Sequence, residues 1–193
     1  MGRIAIAVLL VCASSASRAA DLVFDVGAGP IIAPGESTHS FGFRGSLGVD
    51  FGIVEPAFVA VWSPGPDPEQ LMHRNQQGAQ LLHGIAALLR VHTETPHQAS
   101  LGVGFGIGRM EAAQEAGGDA FGYRGTEGAY TVIELAYRYS AGPVTLGAAF
   151  TTHFFTHVQV VGDVGSSIPG PYPYGYMSVL SFMANIGLRV GVF

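Results

Sequence analysis

Hydrophobic and polar positions alternate in twos along most of this chain. The barest case is Ser100–Arg109, where Leu101, Val103, Phe105 and Ile107 alternate with Gly102, Gly104, Gly106 and Gly108. A strand turns successive side chains to opposite faces, so one face of this segment carries four apolar groups and the other none. A soluble sheet places polar groups on its second face, where they meet water. Bare backbone instead suits a strand with lipid outside and its neighbours' long side chains crowding the inside.

The same period predicts seven more strands. Asp21–Ile32 sets Leu22, Phe24, Val26 and Ala28 against Asp25, Gly27 and Gly29. His39–Phe51 sets Phe41, Phe43, Leu47, Val49 and Phe51 against Ser40, Gly42, Arg44, Ser46, Gly48 and Asp50. Glu55–Trp62 opens with Pro56, where a missing N–H is tolerated, and its Phe58 and Trp62 are assigned outward. Ala129–Ser140, Pro143–Phe154 and Met177–Phe193 alternate in the same way. Ala79–His92 is in conflict. Leu81, Leu82, Ile85, Leu88 and Leu89 have helical spacing, but Gly84 interrupts it and no helix cap precedes it. Parity decides for a strand, since a closed up-and-down barrel with both termini at one end needs an even number.

The connections alternate in length. Ala33–Thr38 is short to moderate, Phe51–Val54 tight, Ser63–Gly78 long and Glu94–His97 short. Met110–Gly128 is long, Ala141-Gly142 tight and Thr156–Tyr176 long. A transmembrane barrel sorts its connections by side, with short periplasmic turns and long extracellular loops. The fold predicted is therefore all-β, an eight-stranded antiparallel up-and-down transmembrane barrel.

Composition sharpens this reading. The 193 residues are 48% hydrophobic and 12% charged, with 28 Gly, yet no run of about 18 apolar residues exists to form a spanning helix. Residues 1–19 read as a Sec-type signal peptide, leaving a barrel domain over 20–193. Arg3 supplies the positive start, Ile4–Ala13 the apolar run and Ser17-Arg18-Ala19 the small residues read at cleavage. The single cysteine, Cys12, falls inside that segment, which excludes disulfides and thiol chemistry from the remainder. All nine basic residues are Arg, and losing Arg3 and Arg18 leaves seven against 14 acidic ones, which excludes a nucleic-acid partner.

The signal peptide, eight strands, four outer loops and terminal Phe193 resemble the OmpX and opacity-protein group of small outer-membrane barrels. The resemblance covers the whole processed chain and rests on pattern, with no short diagnostic motif. It implies a non-enzymatic protein in the outer membrane of a Gram-negative bacterium, with a structural or surface-interaction role. Members of that group usually end on an aromatic in phase with the outward residues. Here Leu188, Val190 and Val192 hold that phase and Phe193 is one residue out of step.

Six charged residues fall on the inferred inner face: Asp25, Arg44, Arg90, Glu134, Arg138 and Arg189. A charge facing lipid at mid-membrane costs roughly 2–4 kcal/mol, so inward placement is expected. An eight-stranded barrel is about wide enough for its own side chains, which favours a salt-bridged plug over a selective pore. In that plug Arg90, Arg138 and Arg189 are expected to pair with Glu134 and Asp25, and Asp25 to meet Arg44 or Arg189. The Gly102–Gly108 face is expected to make room for the guanidinium groups of Arg90 and Arg138.

The aromatics divide into two belts, Phe24, Phe51, Tyr137 and Tyr139 at the periplasmic rim and Phe41, Trp62 and Phe154 at the outer one. Tyr172, Tyr174 and Tyr176, in the Pro-rich end of the last loop, are expected to pack that loop against the rim. His153 and His157 stand about 13 Å apart if both are on one strand, too far to share an ion, and are expected at the surface. G-V-G-F-G-I-G lies inside a strand and so is not a phosphate-binding loop.

No catalytic, cofactor-binding or metal-binding residues are expected, and no cofactor. The expected partners are outer-membrane lipid and an extracellular ligand or surface met by loops 63–78, 110–128 and 156–176. Two other classes of function remain open: a barrel enzyme modifying lipid A, and a soluble secreted barrel with an apolar ligand inside.

Overall fold

The computed structural model describes residues 20–33, 39–63, 80–94, 96–116, 120–156, 158–161, 172–174 and 177–191. The signal-peptide assignment, the Ser63–Gly78 loop beyond its first residue, His157 and Phe193 lie outside them. Among the described residues, ten strands form one antiparallel sheet: β1 Asp21–Ile32, β2 His39–Asp50, β3 Val54–Trp62, β4 Gln80–His92, β5 His97–Ala116, β6 Ala120–Ala141, β7 Val144–Phe155, β8 Val158–Val161, β9 Tyr172–Tyr174 and β10 Met177–Gly191. Eight of them close a barrel in the order β1-β2-β3-β4-β5-β6-β7-β10, and β10 returns to β1. The closing register sets Asp21 against both Gly191 and Asp50, so the two ends of the described chain and the β2–β3 turn share one rim.

Closure explains why β4 is a strand. Its leucines have helical spacing, but every residue from Gln80 to His92 has a partner on β5, and most have one on β3. A helix here would leave the facing edges of β3 and β5 without hydrogen-bond partners, a defect that full closure removes.

The tight turns lie where the pattern placed them. Gly52 takes φ 99° and Gly142 φ 63°, left-handed conformations that other residues rarely adopt. Phe51 N–H donates to the Val54 carbonyl at 2.9 Å, closing the β2–β3 turn.

Two expected loops differ. Met110–Gly128 is not a loop, because β5 continues to Ala116 and β6 begins at Ala120, in unbroken register from Ile107↔Ala129 to Ala116↔Ala120. Glycine and polar residues dominate there, which signals a loop in sequence. Backbone pairing along an existing hairpin needs no apolar face, so the ladder continues past the end of the alternation. Thr156–Tyr176 likewise contains β8, paired to β6 at Tyr123↔Val161, and β9, paired to β8. Together β5, β6, β8 and β9 extend the sheet beyond the barrel at the end opposite the tight turns.

The barrel is inverted relative to a soluble one. Its outer surface is apolar: Phe58 and Phe105 are each 72% exposed and Ile107 62%, with Trp62, Ile85, Leu101, Leu135 and Ile186 also outward. Inside, the contents divide along the axis. The half towards the long connections is an apolar core of Ile31, Val59, Val61, Leu82, Met110, Tyr130, Val132, Phe155, Val179 and Met183. The half towards the tight turns holds the charged side chains. The alternation had not revealed the apolar half, because there both faces of a strand are apolar and the contrast between them disappears.

Candidate functional site

The charged half of the lumen is a connected ion-pair network built on side chains from most of the barrel strands. Arg90 on β4 lies at its centre. Its Nε donates to Glu134 Oε1 at 2.8 Å, its Nη1 to Glu55 Oε1, and its Nη2 to Ser46 Oγ at 3.0 Å. Arg44 Nη2 donates to Glu134 Oε2 at 2.6 Å. Arg138 Nη1 donates to Glu55 Oε2 and its Nη2 to Asp25 Oδ2, both at 2.8 Å. Thr145 Oγ1 adds a bond to Asp25 Oδ1 at 3.1 Å. Arg189 closes the rim, donating to Asp21 Oδ2 and Asp50 Oδ2 at 2.5 Å each.

All six residues singled out in the sequence therefore point inward, and Arg90 pairs with Glu134 and Arg138 with Asp25 within the expected set, but two other expected contacts are not made. Asp25 meets Arg138 across the barrel rather than Arg44 or Arg189 on neighbouring strands. Arg189 takes Asp21 and Asp50 rather than Asp25 or Glu134. In a barrel this narrow, opposite walls are within reach of an arginine, so cross-lumen pairs compete with diagonal pairs on the wall.

Glu55 was missed as a lumen residue. It is fully buried and bridges Arg90 to Arg138. The available signal was parity, since Val54–Trp62 alternates buried and exposed after Glu55 and Glu55 shares the inward phase with Ala57 and Val59. The alternation begins the strand at Glu55 but assigns a face only to Phe58 and Trp62 on it. Asp50, in phase with Arg44 on β2, was visible in the pattern but not counted among the charges.

The glycine face of β5 does make room, although chiefly for another group. A methyl carbon at Gly102 would lie 3.2 Å from Arg90 Cγ and 3.4 Å from Glu134 Cβ. At Gly84 it would lie 2.5 Å from the Tyr130 hydroxyl oxygen, at Gly106 2.5 Å from Tyr130 Cζ and at Gly108 3.0 Å from Tyr130 Cε1. The glycines of β4 and β5 thus form a slot for the Tyr130 ring, and Arg138 lies elsewhere. Tyr130 in turn packs at a tilt against Phe155, with ring centroids 4.9 Å apart, and against His153 at 5.5 Å.

His153 is accordingly not a surface residue. It is 2% exposed, inside the lumen, and neither ring nitrogen has a hydrogen-bond partner. The inward phase of β7 carries Thr145, Ala149, Thr151, His153 and Phe155, and a strand that stays regular to Phe155 leaves His153 no route outward.

The aromatics assigned to belts stand on the outer surface: Phe24, Tyr137, Tyr139, Phe41, Trp62 and Phe154 are all exposed, and Phe51 is half-exposed in its turn. Trp62 stacks on Phe43 with centroids 5.7 Å apart, and Tyr137 Oη lies 2.6 Å from His97 Nδ1.

A cavity of about 20 Å³ remains among Asp25, Arg44, Glu134, Arg138 and Asn185. That is room for about one water and far too little for a continuous aqueous path. At the turn end, Asp50, Glu55 and His92 bring ligand atoms within 4.8 Å of one another, the one group of metal-ligating residues among the described residues.

These features define the class: a closed eight-stranded barrel with apolar walls outside and a blocked, charge-paired interior. Comparison with solved structures agrees. Neisserial surface protein A is similar at TM-score 0.57 and 16% identity, over 89% of this chain and 96% of that one. A major outer membrane protein from Thermus thermophilus is similar at TM-score 0.56 and 10% identity, over 89% of this chain and all of that one. Scans against protein-family models and curated proteins found no match. The fold is that of the small outer-membrane barrels.

Proposed function

We propose that this chain is an integral outer-membrane β-barrel of a Gram-negative bacterium, exported by a Sec-type signal, with no enzymatic activity. It offers its extended β5–β6 hairpin and long loops to an extracellular ligand or surface. The observation that carries this reading is the inverted barrel: Phe58, Phe105 and Ile107 are outside, while Arg90, Glu55 and Glu134 are at most 2% exposed inside. Water would not tolerate the first arrangement over a whole surface, and lipid requires both. Long connections at one end, and tight turns with both ends of the described chain at the other, add the polarity of a membrane barrel.

A soluble barrel with an apolar ligand is disfavoured by the filled lumen. A lipid-modifying enzyme is disfavoured by the histidines. His83 bonds the Ser63 carbonyl, His92 the Thr93 carbonyl and His97 the Tyr137 hydroxyl, and His153 bonds nothing. None of these four stands between a serine hydroxyl and a carboxylate, as an acyl-transfer site needs.

The test is fractionation and labelling. The protein is expected in the carbonate-resistant outer-membrane fraction, with a heat-dependent gel mobility. Tags in residues 74–78 or 117–118 are expected to bind antibody on whole cells, and a tag at 141–142 only after permeabilisation. Recovery as a folded soluble protein without detergent overturns the membrane reading, and the opposite labelling overturns the loop assignment.

A further inference from the structure

The lumen network is short of one positive charge, and the shortfall lies beside an imidazole nitrogen that makes no hydrogen bond and faces a carboxylate oxygen of Asp50. Among the described residues, five carboxylates (Asp21, Asp25, Asp50, Glu55 and Glu134) face four guanidinium groups (Arg44, Arg90, Arg138 and Arg189). Near the turn end His92 is 6% exposed, and its Nδ1 lies 2.9 Å from the Thr93 carbonyl oxygen. A carbonyl only accepts, so Nδ1 carries the proton and donates. Gln98 Nε2, 3.2 Å from the same nitrogen, donates instead to Asp50 Oδ2 at 3.2 Å.

With Nδ1 protonated, the lone pair of a neutral His92 is on Nε2. That atom lies 3.3 Å from Asp50 Oδ1 and makes no hydrogen bond. A carboxylate oxygen of Glu55 completes a set of three ligand atoms, each within 4.8 Å of the others. Two carboxylates and an imidazole lone pair are thus gathered in one small volume.

From this geometry we propose that Asp50, Glu55 and His92 form a site for one divalent transition-metal ion of the zinc class at the turn end of the lumen. The donor set is nitrogen and oxygen, which suits Zn²⁺ and its neighbours, whereas Mg²⁺ and Ca²⁺ favour all-oxygen shells. A separation of 3.3 Å between Nε2 and Oδ1 is about the span of two ligands on a tetrahedral ion at roughly 2.0–2.1 Å. The surroundings are those of an oriented metal site. His92 Nδ1–H is held by a backbone carbonyl, Asp50 by Arg189, Gln98 and the Gly52 N–H, and Glu55 by Arg90 and Arg138. Both Glu55 oxygens accept from arginines, Oε1 from Arg90 and Oε2 from Arg138, and Asp50 Oδ1 accepts from the Gly52 N–H, so an ion would use the remaining lone pair of each ligating oxygen. The ion would join β2, β3 and β4 at the rim where the tight turns lie.

The test uses the barrel folded in detergent micelles and Zn²⁺ itself, titrated against a chromophoric chelator. One equivalent of Zn²⁺ is expected to bind, with binding weakened at least tenfold by His92→Gln and unchanged by His97→Gln on the outer surface. In ¹⁵N spectra of the wild-type protein, Zn²⁺ is expected to move the His92 Nε2 resonance while Nδ1 keeps its proton. That arm stands even where His92→Gln fails to fold. Equal binding by wild type and His92→Gln overturns the proposal. So does a His92 imidazole that remains doubly protonated and unshifted in excess Zn²⁺, since the missing charge is then a proton.

Discussion

At the scale of single residues, the lumen network is ordered by how many partners each carboxylate holds. Glu55 serves Arg90 and Arg138, and Glu134 serves Arg44 and Arg90, whereas Asp25 serves Arg138 and Thr145. Removing one partner of a buried pair costs roughly 3–5 kcal/mol, because the remaining charge is left desolvated. Arg138 still has Glu55 when Asp25 is lost, but Arg90 and Arg138 are both left short when Glu55 is lost. We therefore expect Glu55→Ala to lower unfolding stability in detergent by about 3–5 kcal/mol and Asp25→Ala by clearly less. Denaturant titrations of the two variants check the order. Equal and small losses, near the 0–1 kcal/mol or so of a solvated pair, would mean a wet lumen.

At the scale of elements, the slot between β4, β5 and β6 makes packing depend on absent side chains. At Gly84 the three atoms nearest an added methyl all belong to Tyr130, at 2.5–3.0 Å. Gly84→Ala is expected to destabilise by about 1–3 kcal/mol, as overpacking does in a tight core. In a double-mutant cycle with Tyr130→Leu, the loss is expected to be less than additive, since the clash leaves with the ring. Strict additivity would show that Tyr130 does not fill the slot in solution.

The last loop gives a second prediction at this scale. β7 and β10 pair directly from Met177↔Phe155 down to Leu188↔Val144, with β8 and β9 lying outside the barrel wall. Replacing residues 158–174 with a short linker is expected to preserve the heat-dependent gel shift. Loss of that shift would mean that β8 and β9 are needed to close the barrel.

At the scale of the whole molecule, two different materials block the lumen in series. The ion-pair network fills one half, and the apolar core around Ile31, Leu82, Tyr130 and Phe155 fills the other. An ion entering from the turn end then meets a region dominated by aliphatic and aromatic side chains. Conductance in planar bilayers is therefore expected to stay near zero in the wild type and in Asp25→Ala alike. A steady ion-selective current in Asp25→Ala would show that the network alone keeps the barrel shut.

The sequence by itself determined the strands, most of their inward and outward faces and the tight turns at Phe51–Val54 and Ala141-Gly142. These follow from period-two alternation and from the local chemistry of Gly52, Pro56 and Gly142, which need no knowledge of neighbours. It also placed six of the network's charges inward, because phase along one strand decides that. Tertiary structure decided the rest. Helical spacing in Ala79–His92 was overruled because the sheet edges on either side demanded a strand. Asp25 was drawn to Arg138 because closing the barrel brings opposite walls within an arginine's length. The glycine stripe became a slot for Tyr130, and His153 was buried, because their surroundings come from strands far away in sequence. The β5–β6 hairpin ran on past the apolar band because backbone hydrogen bonds propagate without a side-chain pattern. Phase is a property of one strand and can be read from its residues; partnership belongs to the closed sheet and is fixed only when all eight strands meet.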